Sequence, residues 1–171
     1  MTAPPPAPAG PLAPPCAINV AHDLSRFHCG KHPLDDWLRH HALASEGRSA
    51  RTYVACVGQS VVGYYCLATG NERRANVPRK IRHGVPDPTP LMIIGRLAVD
   101  TGCQGQRLGE SLLRDALKRI LAASAIVGAR AALVHAIDDD AKAFYLKYGF
   151  IQFPHGSQTL FLPLETIQAA L

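Results

Sequence analysis

Apolar and polar positions divide this chain into short strand-like runs and longer helix-like ones. Leu91 to Val99 is almost continuously apolar and ends at Asp100, the pattern of a buried strand. Beyond a polar turn, Leu108, Leu112, Leu113, Ala116, Leu117, Ile120 and Leu121 form one helical face that ends near Gly128. Arg51 to Val57 and Val61 to Ala68 are β-rich and flank Gly58-Gln59-Ser60, which predicts a hairpin. Earlier, Ala17 to Val20 suits a short edge strand. Pro33 can open a helix along which Leu34, Trp37, Leu38, Ala42 and Ser45 repeat at helical spacing. Arg130 to Ile137 reads as another buried strand. Asp138 then caps a helix over Asp139 to Lys147, and Gly149 stops it. Ile151 to Phe153 and Gln158 to Leu164 form a last pair of strands. Gly70 to Pro90 holds four prolines and reads as loop with one turn of helix. The order β-α-β-β-β-α-β-α-β-β has too few helices for a doubly wound sheet. It predicts an α/β (α+β) fold, one mixed and mostly antiparallel sheet with helices on both faces.

The 171 residues and 47% apolar content suit one domain with a full core. Residues 1–15 are proline-rich and expected to be a disordered tail, leaving 16–171 as the domain. No apolar run approaches the roughly 18 residues that span a membrane, and the N-terminus lacks the pattern of a secretory signal. Cys16, Cys29, Cys56, Cys66 and Cys103 include no C-x-x-C pair. Reduced thiols in a cytoplasmic protein are expected rather than a zinc site or disulfide framework. The histidines show no metal-ligand spacing, so no metal is expected.

The net charge of +5 is unevenly spread. Arg73, Arg74, Arg79, Lys80, Arg82 and His83 are opposed locally only by Glu72. A second cluster, Arg39, His40, His41, Arg48 and Arg51, surrounds the first predicted helix. Either cluster alone is compatible with an ordinary solvated face. Both in a chain with 18% charged residues favour a phosphate-rich ligand.

The turn Gln104-Gly105-Gln106-Arg107-Leu108-Gly109-Glu110 joins the apolar strand to the long helix. Such a turn aims free backbone N–H groups, at the positive end of a helix dipole, at one spot suited to a diphosphate. This strand-turn-helix resembles the acetyl-CoA pyrophosphate site of the GNAT N-acetyltransferases, whose turn reads Gln/Arg-x-x-Gly-x-Gly/Ala. Gln104 and Gly109 match, and Arg107 stands where the first glycine is expected. A second GNAT signature, Asn-x-x-Ala-x-x-Phe-Tyr-x-x-x-Gly-Phe, is met by Ala141, Phe144, Tyr145, Gly149 and Phe150, with Asp138 for the Asn. The segments Leu34-Asp35-Asp36-Trp37-Leu38, Gly63-Tyr64-Tyr65, Gly95 to Asp100 and Val134-His135-Ala136 resemble the acetyltransferase toxins of bacterial toxin–antitoxin pairs.

The resemblance implies acetyl-CoA as cosubstrate, held by Leu97, Ala98 and Val99, the Gln104 to Glu110 turn, Asp138 and Phe144. It places Tyr145 beside the CoA sulfur as the acid, and implies an aminoacyl-tRNA substrate. A ribbon-helix-helix antitoxin and a homodimer are expected as partners. Arg73, Arg74, Arg79, Lys80, Arg82 and Arg96 are candidates for tRNA contacts. Arg107 either pays strain at a positive φ or leaves its guanidinium for a CoA phosphate or solvent. Arg96 faces the acceptor cleft or pairs with Asp100 or Glu110. Leu91 to Val99 carries no Asp or Glu to act as a base. At pH 7 a lysine amine costs about 4–5 kcal/mol to deprotonate and an α-amine only about 1, so this site suits an α-amine. Two other readings remain: a GNAT enzyme for a small amine or protein N-terminus, and a GNAT-like binding module without catalysis.

Overall fold

The computed structural model describes residues 6–171. Seven strands form one mixed sheet in the order β1-β2-β3-β4-β5-β7-β6. In chain order the elements are β1 (Cys16–Ala17), α1 (His32–His40), α2 (Ala42–Ser45), β2 (Arg51–Val57), β3 (Ser60–Glu72) and α3 (Arg79–Arg82). There follow β4 (Thr89–Val99), α4 (Leu108–Ser124), β5 (Ala131–His135), α5 (Asp139–Lys147), β6 (Ile151–Gln152), β7 (Thr159–Pro163) and α6 (Leu164–Ala170). The β1/β2, β2/β3, β5/β7 and β6/β7 ladders are antiparallel, whereas β4 and β5 run parallel.

The hairpin, the buried β4 and β5, and α4 lie where the apolar pattern placed them, and α5 spans the predicted residues. Other boundaries moved. β1, Cys16–Ala17, shares only Ala17 with the strand expected over Ala17 to Val20. β3 runs on through Gly70 to Glu72, into the stretch read as loop, and Arg74–Asn76 and α3 add two short helical turns there. The final helix, α6, carries a single buried residue, Ile167, and so leaves almost no periodic signal. Of the proline-rich stretch, residues 1–5 lie outside the described residues. Further along, Leu12 bridges to Val57, and the Ala13 N–H donates to the Cys56 carbonyl at 2.9 Å.

The chain divides into two compact units. The first comprises the residues up to Leu67 together with Arg96–Ala116, and the second Ala68–Gly95 with Leu117–Leu171. In the first, Phe27, Leu34, Leu38, Val54, Val61, Tyr64 and Ala98 form a buried cluster. Here α4 lies close on β3: a Cβ at Gly63 would meet Leu112 Cδ1 at 2.9 Å, so any larger residue there would have to displace that side chain. In the second, Val77, Ile81 and Val85 of the basic stretch pack with Leu91, Leu133 and Phe161. The prolines and cations of residues 73–84 are thus tied to a core through three apolar side chains.

Candidate active site

In the first unit, β4 delivers the chain to the Gln104 to Glu110 turn. Gln104, Gly105, Gln106 and Arg107 are exposed, and Leu108 is buried as the first residue of α4. The first N–H groups of a helix have no partner within it. Leu108, Gly109 and Glu110 therefore offer amides at the positive end of α4, the donor set a diphosphate needs. Arg107 has φ 62°, the one non-glycine residue in the left-handed region among the described residues. The strained alternative for Arg107 is the one this fold adopts, at about 1–2 kcal/mol.

A brace that sequence reasoning missed holds this turn. Asp100 is buried, and its carboxylate accepts N–H groups from His28 at 3.0 Å and Gly102 at 2.9 Å. The Thr101 N–H donates to the His28 carbonyl at 2.8 Å. Gln104 turns its side-chain amide inward and donates to the carbonyls of Cys29 at 3.1 Å and Val99 at 2.9 Å. Its family-matched position therefore serves the turn's shape. Buried Asp35, in the first turn of α1, accepts the Cys29 N–H at 2.9 Å. Residues 27–31 are thereby fixed between α1 and the turn. Asp100 gave no sequence sign that one of its partners is the backbone N–H of His28, 72 residues away.

Arg96 does not pair with Asp100 or Glu110: its guanidinium lies over the Trp37 ring at 4.3 Å, a cation–π contact. Trp37 in turn stacks on Tyr64, with centroids 6.0 Å apart. The buried Tyr64 hydroxyl donates to the Leu34 carbonyl at 2.7 Å, and burial raises its pKa. All five cysteines are free. Burial pushes the Cys29 thiol up to about 12 and the Cys56 thiol up to about 11, so both stay protonated and unreactive near neutral pH.

In the second unit the parallel β4/β5 ladder runs from Leu91–Ala131 to Ile94–Val134. There it stops, while β4 itself continues to Val99. Asp138 caps α5 as expected, its carboxylate accepting the Ala141 N–H at 2.8 Å. At the other end the Gly149 N–H donates to the Leu146 carbonyl and the Phe150 N–H to the Tyr145 carbonyl. These are the paired bonds of a Schellman stop, and Gly149 has the positive φ it requires, 93°. The same stop positions Tyr145, which is buried with its ring edge-on to Phe144 at 5.2 Å and to Phe150 at 5.3 Å. The Phe-Tyr-x-x-x-Gly-Phe spacing is thus a device for fixing one tyrosine.

The basic loop builds an open depression of about 470 Å³ lined by Arg74, Arg79, Arg82, His83 and Gly84. Its cations are not equivalent. Arg82 donates through Nη2 to the carbonyls of Val77 at 2.8 Å and Ala75 at 3.3 Å, and its guanidinium lies 5.7 Å from the Phe153 ring centre. It is the loop's internal clamp. Arg74 and Arg79 are exposed, as is His83, which belongs to the depression although it was not among the candidate contacts. Arg73 and Lys80 are exposed on the same loop outside the depression's lining.

Among the described residues no group of three His, Cys, Asp or Glu side chains is placed to hold a metal. Nor is any helix long and apolar enough to cross a membrane.

Residues 48–152 match the acetyltransferase (GNAT) domain family. The chain is 40% identical over 158 residues to a tRNA-acetylating toxin of Mycobacterium tuberculosis, covering 92% of this chain and 95% of that one. A mutant of KacT superposes with a TM-score of 0.88 at 31% identity, over 94% of this chain and 99% of that one. AtaT complexed with acetyl-methionyl-tRNAfMet does so with a TM-score of 0.86 at 29% identity, over 94% and 99%. The chain belongs to the GNAT acetyltransferase family, enzymes that take their acetyl group from acetyl-CoA.

Proposed function

We propose that this protein acetylates the α-amino group of an aminoacyl-tRNA, blocking translation in the cytoplasm, and is neutralised by a ribbon-helix-helix antitoxin. The observation that carries the reading is the 40% identity to a tRNA-acetylating toxin over 92% of the chain. Similar folds occur in AtaTR bound with acetyl-CoA and in AtaT bound to the C-terminus of the antitoxin AtaR. As in many small proteins of symmetric assemblies, a homodimer is the expected state.

The α4 N–H groups and the Gln104 to Glu110 turn hold the diphosphate of acetyl-CoA. Asp138 and Phe144 belong to the cofactor-binding set. The backbone of Leu97, Ala98 and Val99, beyond the end of the β4/β5 ladder, pairs with the pantetheine amides as an added strand would. One N–H of this stretch donates to the thioester carbonyl oxygen, a contact worth about 3 kcal/mol as negative charge develops there. The neutral α-amine attacks that carbonyl carbon. As the carbon–sulfur bond breaks, the Tyr145 hydroxyl gives its proton to the departing thiolate, and the new amide nitrogen loses its extra proton to water. A phenol of pKa near 10 donates to a thiolate of pKa near 8.5 only slightly uphill. No carboxylate on β4 is required, because deprotonating an α-amine costs only about 1 kcal/mol at pH 7.

Arg74, Arg79 and His83 contact RNA phosphates, with Arg73 and Lys80 adding to the field and Arg82 keeping the loop in shape. Arg96, held over Trp37, presents a cation to the acceptor. The test is transfer of radiolabelled acetyl from acetyl-CoA to bulk charged tRNA compared with deacylated tRNA. Label on the charged pool alone is expected. Equal labelling of neither pool, with turnover on small amines, would replace this reading with a small-amine acetyltransferase.

A further inference from the structure

We propose that residues 6–10 of the proline-rich N-terminal segment are a strap that locks the brace around Asp100 and thereby tightens acetyl-CoA binding. The inference rests on the reading of the Gln104 to Glu110 turn as the acetyl-CoA site.

A stretch so rich in proline reads as a free tail, yet it follows a fixed course. The Ala13 N–H donates to the Cys56 carbonyl and Leu12 bridges to Val57, so the segment starts from the end of β2. Gly10 carries the chain past Val57 with φ 135°, a conformation that suits glycine. Farther out, the Pro6 carbonyl accepts an N–H of the Arg26 guanidinium at 3.3 Å. Ala7 then lies directly on Gly102. A Cβ at Gly102 would stand 2.7 Å from the Ala7 Cβ and 2.8 Å from the Ala7 nitrogen, so a side chain there would have to push the segment's backbone away. Ala7 and Pro8 are partly buried, while Pro6, Ala9 and Gly10 are exposed.

Pro6 and Ala7, consecutive residues, thus touch the two segments that the brace joins. Arg26 lies two residues before His28, whose N–H donates to Asp100 and whose carbonyl accepts the Thr101 N–H. Gly102 donates its own N–H to Asp100, and the turn begins two residues later. Holding residues 26–28 against 100–102 therefore holds the start of the turn, and N–H groups that read a diphosphate depend steeply on angle. Proline lets so slight an anchorage suffice. Pro6, Pro8, Pro11, Pro14 and Pro15 fix φ, which limits the freedom that docking removes, and they bring no N–H in need of a partner.

Calorimetric titration with CoA tests the strap without needing the acceptor. The strap can shift CoA binding by no more than its own docking free energy. Deleting residues 2–9 should accordingly lower CoA affinity by about three- to tenfold, the scale of one hydrogen bond and a small apolar contact. Gly102 lies outside the left-handed region, so Gly102→Ala displaces the strap without straining its own backbone, and it should give the same loss in the full-length chain. In the shortened chain Gly102→Ala should add nothing, because the strap it displaces is already gone. By reciprocity, CoA should slow proteolytic cleavage within residues 6–10 of the parent by a similar factor. Parent-like CoA affinity in both the shortened chain and Gly102→Ala overturns the proposal and leaves the turn as the acetyl-CoA site. An equal loss from Gly102→Ala with and without the strap overturns it too, since residue 102 then acts on the turn directly. If the shortened chain does not fold, Gly102→Ala in the full chain decides: weaker CoA binding with faster cleavage of residues 6–10 upholds the strap, and either one unchanged overturns it. A parent protein that binds no CoA overturns the proposal together with the reading beneath it.

Discussion

The acetyl-CoA turn and the basic loop are both exposed, both cationic in part, and both proposed to meet phosphate, yet they are built in opposite ways. The turn is fixed from beneath by buried Asp100, by Gln104 and by the 27–31 segment, so its backbone amides have one arrangement. The loop is anchored by Val77, Ile81 and Val85 and clamped by Arg82, while Arg74, Arg79 and His83 stand exposed on it. A diphosphate read by N–H groups needs geometry good to fractions of an ångström, because hydrogen bonds weaken steeply with angle. A nucleic-acid backbone read by charge needs only a rigid base and long, adaptable side chains. The two regions should therefore fail differently when altered.

Chemistry itself should give the largest effect. Tyr145→Phe removes the proposed acid and leaves the ring packing, so turnover should fall by about 10²-fold or more with CoA affinity nearly unchanged. Unchanged turnover would take Tyr145 out of the mechanism. Breaking the brace should come next. Asp100→Ala leaves the His28 and Gly102 N–H groups without their acceptor, at about 2–3 kcal/mol. Denaturant titration should show that loss, and CoA affinity should fall with it. A stable variant with weakened CoA binding would sharpen the role of Asp100, and one with both properties unchanged would refute the brace.

On the loop, Arg74→Ala with Arg79→Ala should raise KM for charged tRNA several-fold and flatten its salt dependence, by about 0.7–0.9 in log–log slope per lost phosphate contact. CoA affinity should not move. A salt-insensitive KM in the parent would favour a solvated loop and a small-amine substrate. Arg82→Ala should instead loosen the loop, visible as faster proteolysis within residues 73–84, since its bonds run to Ala75 and Val77. The smallest effect concerns pH. The Cys29 and Cys56 thiols titrate higher in the folded chain than their ordinary 9.0, so folding holds their protons more tightly. Stability should accordingly be constant at neutral pH and decline as pH rises above about 9, with Cys29→Ser reducing the decline.

Much of the fold was legible in the pattern because long apolar runs have one good use. Leu91 to Val99 and Arg130 to Ile137 read as buried strands, and Asp138 and Gly149 marked both ends of α5. Short elements were not. Four-residue α3 and seven-residue α6 carry one buried side chain each, too few for a period to show. In the candidate site, local motifs told where the turn opens α4 and which tyrosine the Gly149 stop would fix.

By itself, then, the sequence determined the strand-turn-helix order, the caps of α5, the place of Tyr145 on its helix and the concentration of charge between Arg73 and His83. All of these depend on neighbours within a few residues. Only the tertiary structure decided that Gln104 and Asp100 brace the turn, that Arg96 lies on Trp37 rather than pairing with an acid, and that Arg82 clamps the loop on which Arg74 and Arg79 stand exposed. Each of those outcomes turns on which backbone carbonyl, amide or ring a polar side chain finds. Hydrophobic burial sets those neighbours first, and the directional bonds then settle into the geometry it leaves.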